Sequence, residues 1–145
     1  MASLSRSALR EHIFKIVFSS DFRHGEDFDD YIPIHFESIT DSDDNKKQLS
    51  ESDIRYISDK SRQVIMMSEE IDSLISGYAK GWSFSRLGKA ELAILRLSIF
   101  EIKYDESIPQ NVAINEAVEL AKAYGDEQAP GFINGILSSV VKENI

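Results

Sequence analysis

Three observations predict an all-α protein, a compact bundle of about seven helices. Apolar residues recur at helical spacing through most of the chain, and no alternating strand pattern persists anywhere. The third observation is residues 88–104, GKAELAILRLSIFEIKY, which are apolar around most of their girth. At about 100° per residue, Leu92, Leu95, Ile99 and Ile102 line one side of this stretch, and Ala93, Leu97, Phe100 and Tyr104 line the next. A helix of that kind is normally buried inside a bundle, so it is expected to be the rod around which the others pack. Lys89, Arg96 and Lys103, with Glu91 near the start, form its polar stripe. The whole chain is expected to form one domain, with a division near residues 67 and 68.

Composition narrows the functional classes. A chain of 145 residues, 42% of them hydrophobic, can bury a sizeable core and is not a disordered tail. Its net charge of -9 argues against indiscriminate gripping of nucleic acid, which Lys and Arg drive. The charge is uneven, however. Residues 24–60 hold eleven acids and four bases, whereas residues 1–23 hold Arg6, Arg10, Lys15 and Arg23 against only Glu11 and Asp21. With no cysteine, disulfides, thiolate zinc sites and a Cys nucleophile are excluded. The apolar runs are too short to cross a bilayer, and Lys15 interrupts the one N-terminal run that could mimic a signal peptide. A cytoplasmic location is expected.

The first helix is expected over residues 5–20, with Leu9, Ile13, Ile16 and Val17 on its core face. Beside that face, Arg6, Arg10, Phe14, Phe18 and Phe22 are each four apart and climb one slowly winding row. The row begins cationic and ends aromatic. It either widens the core stripe or touches RNA with its arginines and a protein with its last aromatics. Arginine suits phosphate because its planar fork donates in pairs. Next, Phe28, Tyr31, Ile32 and Phe36 mark one side of a short helix in which Pro33 must sit near the start or cause a bend. Residues 40–50 read as an acidic, solvated loop.

The group Ser50, Glu51, Ser52 and Asp53 offers N-caps for a helix carrying Ile54, Ile57, Ser61, Val64 and Ile65. After a break near Ser68, Ile71, Leu74, Ile75 and Tyr78 continue the spacing, Gly77 and Gly81 mark a fraying end, and Trp82 and Phe84 are expected to cap the core. Beyond the rod, residues 107–110 resemble a capping box, with Pro109 in the first turn. The following helix runs to about Tyr124; Glu119 and Lys122 can pair across one of its turns, and hydrogen bonds to a neighbouring helix end would satisfy Asn115 and Glu116. Gly125 stops it. The last helix has its core side at Ile133, Ile136, Leu137, Val140 and Val141, with Gly131 and Gly135 suited to close packing and Phe132 at an exposed start.

No chemistry-bearing motif stands out. His12, His24 and His35 are scattered without metal-ligand spacing on a helix, and there is no phosphate loop, nucleophile elbow or dinucleotide fingerprint. No catalytic residue, metal site or cofactor is therefore expected.

The segments WSFSRLGKAELAILRLSIFEIKY, IPQNVAINEAVELAKAYG and GFINGILSSV, in that order, closely resemble the NusB family of bacterial transcription antitermination factors, and LREHIFKIVFSSDF is similar to that family's opening helix. The likeness covers essentially the whole chain and is weak over residues 24–50. It implies two small helical bundles, no catalysis, and binding of boxA RNA together with NusE, a ribosomal protein. The assembly helps RNA polymerase resist termination, notably on ribosomal RNA operons. Carried over by position, the RNA-binding candidates are Arg6, Arg10, Lys15, Gln128 and Phe132. The partner-binding candidates are Phe18, Phe22, Glu91 and Arg96. Ser7 and Ala8 stand where some relatives have further arginines, and fewer charges release fewer counterions. That departure motivates the alternative, a protein-interaction scaffold or homodimer with little RNA affinity of its own.

Overall fold

The structure is a computed structural model that describes residues 4–23, 26–41, 49–78 and 88–143. Trp82, Phe84 and Gly81, named above as core caps and a helix end, lie outside the described residues. Among the described residues there are seven α-helices and no strand, and none of the helices is long and apolar enough to cross a membrane. The chain divides into two compact units, Met1–Ile65 and Met66–Ile145.

The first unit holds α1 (Arg6–Ser20), α2 (Phe28–Asp41) and α3 (Glu51–Met66), the last of which ends at the boundary. Two short polar devices set its helix starts. The Ser5 hydroxyl accepts from the Ala8 N–H at 3.2 Å, capping α1. At α3, the Asp53 N–H donates to Ser50 Oγ at 3.1 Å while the Ser50 N–H donates to Asp53 Oδ2 at 3.3 Å. This is a capping box closed by aspartate in place of glutamate. The same Oδ2 accepts the Leu4 N–H at 3.3 Å, so one buried carboxylate ties the entry of α1 to the start of α3. At the other end of α1, Ser19 and Ser20 donate back to the Ile16 and Val17 carbonyls at 2.9 and 2.6 Å, satisfying acceptors the ending helix would orphan.

In α2 the proline lies within the helix, as its sixth residue. Pro33 is exposed while Tyr31 and Ile32 are buried, so the lost N–H falls on the outer face. The helix also runs further than expected: Thr40 and Asp41, read as loop, are its last two residues.

The second unit holds α4 (Ser68–Tyr78), α5 (Lys89–Tyr104), α6 (Gln110–Tyr124) and α7 (Ala129–Glu143). As expected, α5 is the rod: it packs against α4, α6 and α7, and every residue from Leu92 to Ile102 is buried. Its polar stripe is correspondingly narrower than the sequence suggested. Arg96 is buried and grips Asp72 of α4 with two bonds, Nε to Oδ1 at 2.8 Å and Nη2 to Oδ2 at 2.7 Å. Ser98 donates to the Ile94 carbonyl at 2.7 Å, and Glu101 is 1% exposed.

The expected capping box before α6 does not form. Ser107 is turned toward Asp105, whose Oδ1 accepts both its N–H and its hydroxyl, and Pro109 takes the cap position with no side-chain bond. Aspartate, a good Asx-turn former, is simply the nearer acceptor. Asp126 does the capping at α7, accepting the N–H groups of Gln128 and Ala129, each at 3.0 Å.

Candidate functional site

The arginine and aromatic row of α1 is a graded feature rather than one continuous surface. Arg6 is exposed, Arg10 and Phe14 are buried, Phe18 is half-buried and Phe22 is 59% exposed. The rings form a ladder, with centroids 6.0 Å apart between Phe14 and Phe18 and 5.2 Å apart, edge to face, between Phe18 and Phe22. Such pairs add about 0.5–1.5 kcal/mol beyond their area burial. The ladder therefore leads from the core to solvent, where Phe22 lies just past the helix end, its N–H on the Ser19 carbonyl at 3.0 Å.

Arg10 was expected to face RNA, and the structure corrects this: the side chain is 3% exposed. The reason is helical phase. Arg10, Ile13, Phe14 and Val17 follow the i, i+3, i+4, i+7 spacing of a core stripe, and all four are buried. The cations that α1 turns to solvent are Arg6 and Lys15. Close by, Arg23 lies over the Tyr31 ring at 5.6 Å and pairs with Glu26 at 3.2 Å, so it is committed to its own unit.

In the second unit, Gln128 is exposed at the α7 entry and Phe132 is half-buried one turn later. Phe132 is thus less open than its position suggested. Glu91, in the first turn of α5, folds its carboxylate back over Gly88, and a Cβ at Gly125 would stand 2.9 Å from Glu91 Oε2 and 2.5 Å from Ala129 Cβ. Two missing side chains thus shape a cradle for this carboxylate at a helix N-terminus, where negative charge is favoured. Arg96, expected on the partner surface, is instead held inside by Asp72, because the middle of α5 is enclosed by its neighbours while the stripe reaches solvent only toward the helix ends, at Lys89 and Lys103.

The α6 and α7 helices also border a groove of about 490 Å³ lined by Asn115, Glu116, Glu119, Lys122, Gly131 and Asn134. The expected Glu119 and Lys122 pair is present at 3.2 Å. Gly131 and Gly135 were expected to admit a neighbouring backbone, yet a Cβ at either position would meet nothing within 4 Å; no close packing occurs there.

The sequence reading missed one pairing. His12 Nδ1 and His35 Nε2 are 2.9 Å apart, with rings edge to face and centroids 5.2 Å apart. Burial and then the charge of His12 and Lys15 push the His35 pKa down to about 4, and burial, aided by Lys15, also lowers that of His12. Because the two residues are 23 apart on different helices, no local spacing could have revealed them. Among the described residues, no group of three or more His, Cys, Asp or Glu side chains is arranged to hold a metal ion.

Comparison with known proteins places this geometry in context. The NusB family model matches residues 7–142. The transcription antitermination protein NusB of Agathobacter rectalis is 36% identical over 135 residues, covering 93% of this chain and 98% of that protein. That of Lachnoclostridium phytofermentans is 33% identical over 138 residues, covering 95% and 99%. Among solved structures, NusB of T. maritima superposes with a TM-score of 0.82 at 33% identity, covering 98% of this chain and 94% of that one. A chain from the complex of antitermination factors NusB and NusE with double-stranded RNA gives 0.76 at 27% identity, covering 95% and 96%. With the match running through all seven helices at nearly full length on both sides, the chain belongs to the NusB family.

Proposed function

We propose that this chain is a transcription antitermination factor that binds boxA RNA together with NusE, within the assembly that helps RNA polymerase resist termination, notably on ribosomal RNA operons. The reading rests on the full-length relatives bearing that name and on the similar chain solved with NusE and RNA. It assigns no catalysis and no cofactor, and it places the protein in the cytoplasm, where nascent RNA is made.

The observation that carries it is the exposed end of the aromatic ladder on a helix that also turns Arg6 and Lys15 to solvent. Phe22, with Phe18 beneath it, offers NusE a rigid apolar contact, the kind of anchor that dominates interfaces. Arg6 and Lys15 supply phosphate contacts. On the second unit, the exposed Gln128 amide can bond a base edge, the Phe132 ring can stack on an unpaired base, and Glu91 offers NusE a carboxylate.

The test is a pair of titrations. Phe22→Asp should weaken NusE binding at least tenfold while the circular dichroism spectrum stays unchanged. Arg6→Ala should weaken labelled boxA RNA and reduce the slope of log affinity against log salt by about 0.7, the loss of one phosphate contact on a single strand. Unchanged NusE affinity in the first variant, or an identical salt series in the second, would refute the assignment.

The burial of Arg10 favours a second reading, a scaffold or homodimer that uses the same aromatic surface with little RNA affinity of its own. Gel filtration with and without NusE, followed by RNA titration of each species, separates the two readings. RNA binding by the species that contains NusE supports the first reading, and no RNA binding by any species selects the scaffold.

A further inference from the structure

We propose that His12 and His35 form a binding site for a divalent transition-metal ion of the zinc or nickel type, clamping α1 to α2. Two imidazole nitrogens on different helices face each other at 2.9 Å. With Zn–N bonds of about 2.0–2.1 Å and a tetrahedral angle, two such nitrogens stand about 3.3 Å apart. The pair opens by about 0.4 Å to admit an ion, and each ring turns about its side-chain torsions until its lone pair points at the ion instead of at the facing nitrogen.

The protonation state also fits. A metal takes the lone pair of a neutral imidazole, and burial keeps both rings neutral near pH 7. In the metal-free pair one facing nitrogen carries the shared hydrogen. When the ion enters, that proton moves to the other nitrogen of the same ring, so both facing nitrogens become ligands and no proton is released. The charged groups acting on the two rings are Lys15, which opposes a cation, and Glu11 and Asp53, which favour one. No third His, Cys, Asp or Glu joins them among the described residues, so water completes the coordination and the ion is exchangeable. Nickel and zinc both accept imidazole.

The clamp joins α1, which carries Arg6, Lys15 and Phe18, to the neighbouring helix. An ion that binds the folded form alone raises the melting temperature in proportion to the logarithm of its excess over Kd.

The experiment is calorimetric titration of the full chain with Zn²⁺ at pH 7.5, with thermal melts in parallel. One ion per chain should bind, and the melting temperature should rise with Zn²⁺. His12→Gln and His35→Gln should each weaken binding at least tenfold and abolish the rise, whereas His24→Gln should leave both intact. Lys15→Gln, which removes the opposing charge and leaves both ligands in place, should tighten binding, and an unchanged affinity would count against the site. Ni²⁺ should broaden backbone resonances of residues 11–15 and 34–36 first. The proposal is overturned by any one of four results: no binding at millimolar Zn²⁺, binding unaltered in both histidine variants, binding lost in His24→Gln, or Ni²⁺ broadening centred elsewhere.

Discussion

The two units bury charge in different ways. In Met66–Ile145 the core is an apolar rod, and its arginine is met by a carboxylate on the adjacent helix in a two-bond fork. In Met1–Ile65 polar groups recur through the interior: Arg10, Asp53, Lys60 and Ser61 are all buried, and the Asp53 carboxylate joins two helix starts by accepting two backbone N–H groups, those of Leu4 and Ser50. Lys60 bonds the Tyr56 hydroxyl at 3.2 Å, and its ammonium lies 5.6 Å from the centre of that ring. The second unit is thus built on the apolar burial of its rod, with the Arg96 fork and the buried Ser98 and Glu101 set into it, whereas in the first the buried Asp53 ties two helix starts directly. Directional ties fix helix register closely, which suits a unit whose α1 presents separate cationic and aromatic ends.

Removing the two-bond grip of Arg96 on Asp72 in the second unit should have the largest effect. Arg96→Ala leaves Asp72 without its fork beside a packed helix, and breaking such a pair costs about 3–5 kcal/mol when buried. Because Asp72 keeps a quarter of its side-chain exposure, a loss of about 3 kcal/mol is expected in urea unfolding. Arg96→Met, which fills the space with an apolar side chain, should recover part of it. A loss below 1 kcal/mol for Arg96→Ala would mean that α5 needs no ionic partner.

A smaller effect is expected in the first unit from Asp53→Ala, which removes the capping box of α3 and the tie to Leu4. Loss of a capping side chain costs about 0.5–2 kcal/mol, and the added tether places the expectation at about 2 kcal/mol. Asp53→Asn, which keeps an acceptor oxygen, should cost less than half as much. The contrast would be sharpened if Asp53→Ala also raised amide exchange at the start of α1 while leaving α5 unchanged, since a merely local cap would not reach the other helix.

The same difference explains what could be read in advance. The rod was legible because its signal is an excess of apolar residues, and eleven consecutive positions proved buried. Helix ends set by short-range chemistry, such as Ser5 and the cap of Asp53 on Ser50, follow from local residue types. Phase was harder. Arg10 shares a four-residue spacing with Arg6 and Phe18, but it also shares the core spacing of Ile13 and Val17, and a cationic head group disguised its inward position. For Arg96 the deciding residue, Asp72, lies on another helix, and for His12 it is His35. Pairings of that kind arise only when helices are placed side by side, so no spacing within one helix encodes them.

The smallest effect is the most selective, because all three histidines, His12, His24 and His35, fall in the first unit. The folded pKa of His35 is pushed down to about 4 and that of His12 is lowered, both chiefly by burial, against about 6.5 in an unfolded chain. Between those values the unfolded state binds more protons, so stability rises with pH. The contribution is fully present above about pH 6.5 and is lost as pH falls through about 4. Measuring from pH 6.5 to 5 stays above the usual carboxylate range, so the histidines dominate the slope. Amide exchange corrected for its intrinsic pH dependence should accelerate in α1 and α2 over that interval, and α5 should hold steady. His35→Gln should reduce the response, because the glutamine does not titrate, and replacing His12 by glutamine as well should flatten it. An equal response in α5, or one that survives undiminished in the double variant, would place the acid sensitivity outside this pair and remove the distinction between the two units.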